Sequence, residues 1–174
     1  MNNALSSLPG DNANYFPGNA QPHPGDAACA LVSMNEVVQY HLISRRQQIE
    51  AMQAIIRFDA LPHVTAGREV ISKMISLIFN SILDYPPAGT KLLIYIKCEP
   101  EKSEVMDLSL PEGFQQFVIS VYTNIITDEA WQQEQQQPLA ELQALVEGAA
   151  GSCSHYHIAK TGCLYNLLLP GKLL

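Results

Sequence analysis

Apolar residues fall at spacings of three and four in parts of this chain and alternate in others, so helices and strands separate along it. Order is expected from Ser33, where Ser33 followed by Glu36 fits a capping box. Val37, Val38, His41, Leu42 and Ile49 continue a helical stripe to about Met52. Ile55, Ile56 and Phe58 predict a short strand, closed by Leu61-Pro62. Val70, Ile71, Met74, Ile75, Leu77, Ile78 and Ile82 form a broad apolar face, which predicts a second helix over 68–84. Pro86-Pro87 ends it, because proline disfavours a helical residue before it and cannot donate to the ladder. Gly89-Thr90 turns the chain into KLLIYIKC, a strand, with two more expected near 105–110 and 117–123. The Gln-rich stretch WQQEQQQ reads as a polar connector ended by Pro138, with a third helix over 139–147 and Gly148 and Gly151 as its stop. SCSHYHI and CLYNLLL predict a hairpin turning around 159–162. The expected fold is an α/β (α+β) two-layer sandwich: a mixed, mostly antiparallel sheet covered on one face by about three helices.

Composition sets the boundaries. Residues 1–32 are rich in Asn, Pro, Gly and Ala, and only Tyr15 and Phe16 stand out as docking side chains, so this stretch is expected to be a flexible leader to a domain over 33–174. Ten basic against seventeen acidic residues give a net charge of −7. With no Lys/Arg cluster beyond Arg45-Arg46, expected on a helix surface, nucleic acid is an unsuitable partner. No apolar segment approaches the ~20 residues a membrane span requires, and no secretory signal is recognisable. Cys29, Cys98, Cys153 and Cys163 are irregularly spaced, which suits reduced thiols in a cytoplasmic protein.

Three stretches, LPHVTAGREVISKMISLIFNSILDYPP, FVISVYTNIITDE and ELQALVEGAAG with GCLYNLLLPG, stand in an order that resembles the ATP-binding domain of sensor histidine kinases, a branch of the GHKL ATPases. SMNEVVQ is similar to the family's D-L-N-E-V helix, and ALPHV to its LP-x-V strand. The resemblance spans roughly 33–171. It implies that Asn80 stands where the family's second Asn of N-x-x-x-N helps hold magnesium, with Ser76 at the first Asn, Leu83 at the Lys and Asp84 at the aromatic position. It places Thr123 at the adenine-binding Asp of D-x-G-x-G, and Ile125 and Thr127 at the two glycines. Branched side chains there tolerate positive φ poorly and crowd a purine. The phosphate-binding glycine loop has no counterpart in QQEQQQPLAEL.

Cys153, His155 and His157 alternate along one predicted strand, and Cys163 can approach from its partner, so a zinc-dependent sensor is one further reading. No known zinc spacing matches, and core packing is the ordinary role of such residues. His41 lacks the helical context of a phospho-acceptor and reads as an amphipathic-helix histidine. No triad or dyad marks a nucleophile. The resemblance therefore implies a non-catalytic, pseudokinase-type domain in two-component signalling. No cofactor is expected. Its partner would be a signalling protein such as a histidine kinase or response regulator, with a homodimer left open. The competing expectation is an ATP- and magnesium-binding domain of weak ATPase or kinase activity, using Asn80 and a remodelled pocket.

Overall fold

The computed structural model describes residues 31–85, 91–102, 110–125, 127–158 and 162–174. Its strands are β1 (Val32–Ser33), β2 (Ile55–Phe58), β3 (His63–Val64), β4 (Leu93–Pro100), β5 (Gln115–Thr123), β6 (Ser152–Ile158) and β7 (Gly162–Lys172). The helices are α1 (Met34–Ser44), α2 (Arg46–Ala51), α3 (Arg68–Leu83) and α4 (Glu129–Gly148). The strands form one sheet in the order β1-β3-β7-β5-β4-β2, with β6 also on β7. Among the described residues only the β2–β4 pair is parallel. The mixed, mostly antiparallel sandwich is therefore the one the pattern predicts.

Alternation along the strands decides which face is buried. Ile94 and Ile96 of β4, Ile119 and Val121 of β5, and Tyr165, Leu167 and Leu169 of β7 enter one core. Helix α3 adds Ile71, Met74, Ile75, Ile78 and Ile82 to it, and α4 adds Leu142 and Val146. The opposite face carries exposed Leu93, Tyr95 and Tyr156. Among the described residues, no helix is long and apolar enough to cross a membrane.

Several boundaries differ from the sequence expectation. The first predicted helix is two helices, α1 and α2, broken at Arg45, whose φ of −105° and ψ of 14° leave the helical region. Among the described residues that makes four helices. Ser33 caps α1 by accepting from Glu36 N at 3.4 Å, but the Glu36 carboxylate reaches Arg68 (3.1 Å) and does not close the box. Ser33 also lies in β1, so pairing starts at Val32. The Gln-rich stretch is no connector. It forms the first half of the 20-residue α4, with Pro138 inside it. Asp128 caps this helix by accepting from Trp131 N at 2.8 Å, and Gln and Glu are good helix formers, so one missing proline N–H does not end it. At its C-terminus the residue with positive φ is Ala150 (56°), not a glycine. The leader up to residue 30, Cys29, the proline pair, most of the 105–110 strand and the hairpin turn lie outside the described residues.

Candidate functional site

Arg45, at the break between α1 and α2, reaches across to α3. Its Nη2 donates to Ser76 Oγ (2.9 Å) and Asn80 Oδ1 (2.7 Å), and its Nη1 lies 2.8 Å from His41 Nδ1. A guanidinium can only donate, so His41 Nδ1 is the acceptor and the ring hydrogen sits on Nε2, which donates to Ser72 Oγ at 2.9 Å. Burial is the main cause that lowers the His41 pKa. The Arg45 charge adds to it, and a hydrogen bond with the Ser72 backbone opposes it. Burial also lowers the Arg45 pKa, while Asp84 works the other way. One guanidinium thus satisfies two side chains of α3 at once.

The 123–127 segment is held elsewhere. Thr123 is wholly buried, its Oγ1 has no hydrogen-bond partner among the described residues, and Ile125 lies in the core. Asn124 clamps the start of β4: Leu93 N donates to its Oδ1 (2.7 Å), and its Nδ2 donates to Lys91 O (2.9 Å). Thr127 Oγ1 meets His157 Nδ1 at 2.6 Å. Among the described residues, no hydrogen bond joins this segment to Ser76 or Asn80.

Trp131, 3% exposed, fills the space where α4 leaves the sheet. Its Nε1 donates to Ser81 O (3.2 Å), and its ring meets Tyr85, His155 and His157 at centroid separations of 6.4, 5.7 and 5.4 Å. Tyr85 Oη donates to the Glu134 carboxylate, fastening α3 to α4. Beneath, the seam lined by Leu77, Ser81, Gln135, Pro138, Leu142 and Tyr165 leaves no room for a water molecule. Ser81 Oγ and Tyr165 Oη, 2.6 Å apart, cross its floor.

No family profile matches the sequence, and no curated protein does. Solved structures do. The histidine kinase AdeS of Acinetobacter baumannii superposes with a TM-score of 0.61 at 12% identity, over 80% of this chain and 66% of that one. The catalytic domain of histidine kinase ThkA gives 0.61 at 13% identity, over 82% of this chain and 95% of that one. ThkA solved in complex with the response regulator TrrA gives 0.58 at 16% identity, over 82% and 42%. The fold is that of a histidine-kinase ATP-binding domain. The chain spans about two thirds of AdeS and less than half of the ThkA chain in that complex.

On the histidine-kinase fold, the five motif positions divide into two groups. Ser76 and Asn80 turn towards α1 and α2 and share Arg45, which the sequence placed on an open helix surface. Thr123 and Ile125 turn into the core, and Thr127 joins the β6 histidine. The side chains at 123 and 125 are packed inward. Arg45 and Trp131 carried no motif signal. A Trp three residues after a capping Asp was the available hint of a buried helix start.

Cys153, His155 and His157 do share a face with Cys163, as alternation requires, and His157 pairs with Cys163. Yet among the described residues no three of His, Cys, Asp or Glu gather as metal ligands. His155 is stacked between Trp131 and Tyr165, with its Nε2 buried and unpartnered. Cys98, Cys153 and Cys163 are free thiols, and burial raises the first two to about 11 and the third to about 12, so they stay protonated.

Burial, helped by His157, pushes His155 down from 6.5 to about 4. The folded chain therefore binds fewer protons than the unfolded one between those values. The contribution is complete above about pH 6.5 and is lost as pH falls towards 4, by about 2 kcal/mol once part-exposure is allowed for. Urea midpoints measured through that window should fall in the wild type and fall less in His155→Phe. An equal fall in both would assign the acid lability to other groups.

Proposed function

We propose that this chain is a non-catalytic histidine-kinase-type domain that acts in two-component signalling by protein contact. The observation that carries the reading is the Arg45 guanidinium on Ser76 and Asn80. A positive group of the protein's own bonds Asn80, which the resemblance assigns to magnesium, and Ser76 at the first Asn position, and a cation there opposes a second one. The closed α3–α4 seam and the inward packing of Thr123 and Ile125 support the same reading from the purine side. No carboxylate stands at position 123 to accept from an adenine amino group. No cofactor is part of the proposal, and its setting is cytoplasmic.

The partner proposed is a histidine kinase or a response regulator. ThkA, on the same fold, was solved with TrrA, and a surface without catalysis can still occupy such a place. Titration calorimetry with Mg-ATP to millimolar concentration tests the first half of the proposal. Wild type and Arg45→Ala are both expected to give no saturable heat, since the seam stays shut in either. Saturable binding by the wild type overturns the reading. Binding by Arg45→Ala alone would make the guanidinium, and not the packing, the whole obstacle.

A further inference from the structure

We propose that His41 is a proton-operated latch: a second proton on its ring expels the Arg45 guanidinium and so uncovers Ser76 and Asn80. The inference rests on the Arg45 contacts and not on the absence of nucleotide, so its failure leaves the Mg-ATP titration to judge the proposed function by itself. His41 and Arg45 stand one helical turn apart, and the backbone fixes them there. Arg45 N donates to His41 O (3.2 Å), and so does Ser44 Oγ (3.0 Å). What can change is the contact between the two side chains.

The imidazole is committed at both nitrogens. Nδ1 accepts from Arg45 Nη1 at 2.8 Å, and Nε2–H donates to Ser72 Oγ at 2.9 Å. A guanidinium has no lone pair to offer in return. A proton added to Nδ1 therefore sets two donors and two positive charges face to face at that distance. The imidazolium and the Nη1 bond exclude one another. Nη2 of the same planar fork holds Ser76 (2.9 Å) and Asn80 (2.7 Å), so the guanidinium leaves all three acceptors together.

The surroundings oppose the second proton while the latch is shut. The His41 ring is buried, edge-on to Tyr40 of α1 and Phe79 of α3. A groove of about 540 Å³ between these helices also carries Arg68, Glu69 and Lys73 on its walls. Arg68 is paired with Glu36 (3.1 Å), Lys73 with Glu141 (3.2 Å) and Arg46 of α2 with Glu50 (2.7 Å). Of these neighbouring charges, Arg45 is the one that shifts His41, and it acts downwards, as burial does. The released guanidinium has a destination. Asp84, one turn beyond Asn80 at the exposed end of α3, already attracts it. A ring held neutral in the fold binds its proton below its ordinary 6.5, so the latch is shut above that pH and opens as pH falls beneath it. Each opening takes up one proton, so the ratio of open to shut rises about tenfold per pH unit below that value.

Nitrogen-15 NMR of the full chain between about pH 7.5 and 5 tests this. The Arg45 side-chain N–H groups should lose their protection from exchange over the same pH range in which the His41 ring takes up its second proton. His41→Asn offers Arg45 an amide oxygen that does not titrate, and Arg45 should then stay protected throughout. Arg45→Ala should move the His41 midpoint upwards, and Asp84→Asn should move it downwards. A His41 that becomes imidazolium with Arg45 still protected overturns the proposal. So does a ring that stays neutral to the acid end of the series, or an Arg45 that loses protection in His41→Asn at the wild-type pH.

Discussion

Gly162→Ala is expected to abolish cooperative folding, at a cost upwards of about 5 kcal/mol, beyond the range of ordinary point substitutions. Gly162 opens β7 with φ at +145°, a backbone state open to glycine and strained for an L side chain. A Cβ there would lie 1.8 Å from the Thr123 carbonyl oxygen and 2.9 Å from Asn124 Cα. Neither can withdraw, because β5 and β7 are paired from Thr123↔Cys163 to Gln115↔Gly171 and Asn124 is clamped to β4. The measurement is a far-UV thermal melt beside Gly148→Ala, where a Cβ meets nothing within 4 Å and no loss is expected. A Gly162→Ala protein melting near the wild-type temperature would show that β7 can shift.

Trp131→Ala comes next, at about 4 kcal/mol, the usual cost of emptying a buried tryptophan site. The indole is buried against three rings and donates to Ser81 O, so its loss opens a cavity and strands a carbonyl. The cavity would lie at the mouth of the α3–α4 seam, next to the unpartnered His155 Nε2. Trp131→Phe should recover part of the stability but not the hydrogen bond. Urea unfolding of the pair measures the difference, and a Trp131→Ala loss below about 1 kcal/mol would mean that the seam closes without the ring.

The two missed features have different causes. The Gln-rich stretch reads as a connector because Pro138 looks terminal and the residues before it lack an apolar face. In the folded chain Trp131 and Gln135 face inward there, and the cap at Asp128 starts the helix early enough to span the proline. Arg45 was invisible for another reason. A charged residue in a helical pattern defaults to solvent, and the groups it serves lie 31 and 35 residues away.

What the amino-acid order determined was the apolar periodicity, and with it α3, β4, β5 and the pairing of β6 with β7, since burial has to follow the period of each element. It also named the motif positions at Ser76 and Asn80. Tertiary structure alone decided that α1 breaks where Arg45 can cover both of them, that α4 closes on α3, and that Thr123 and Ile125 are packed into the core. Those outcomes depend on distance between remote residues and on which polar group finds a partner first, quantities a one-dimensional pattern does not contain.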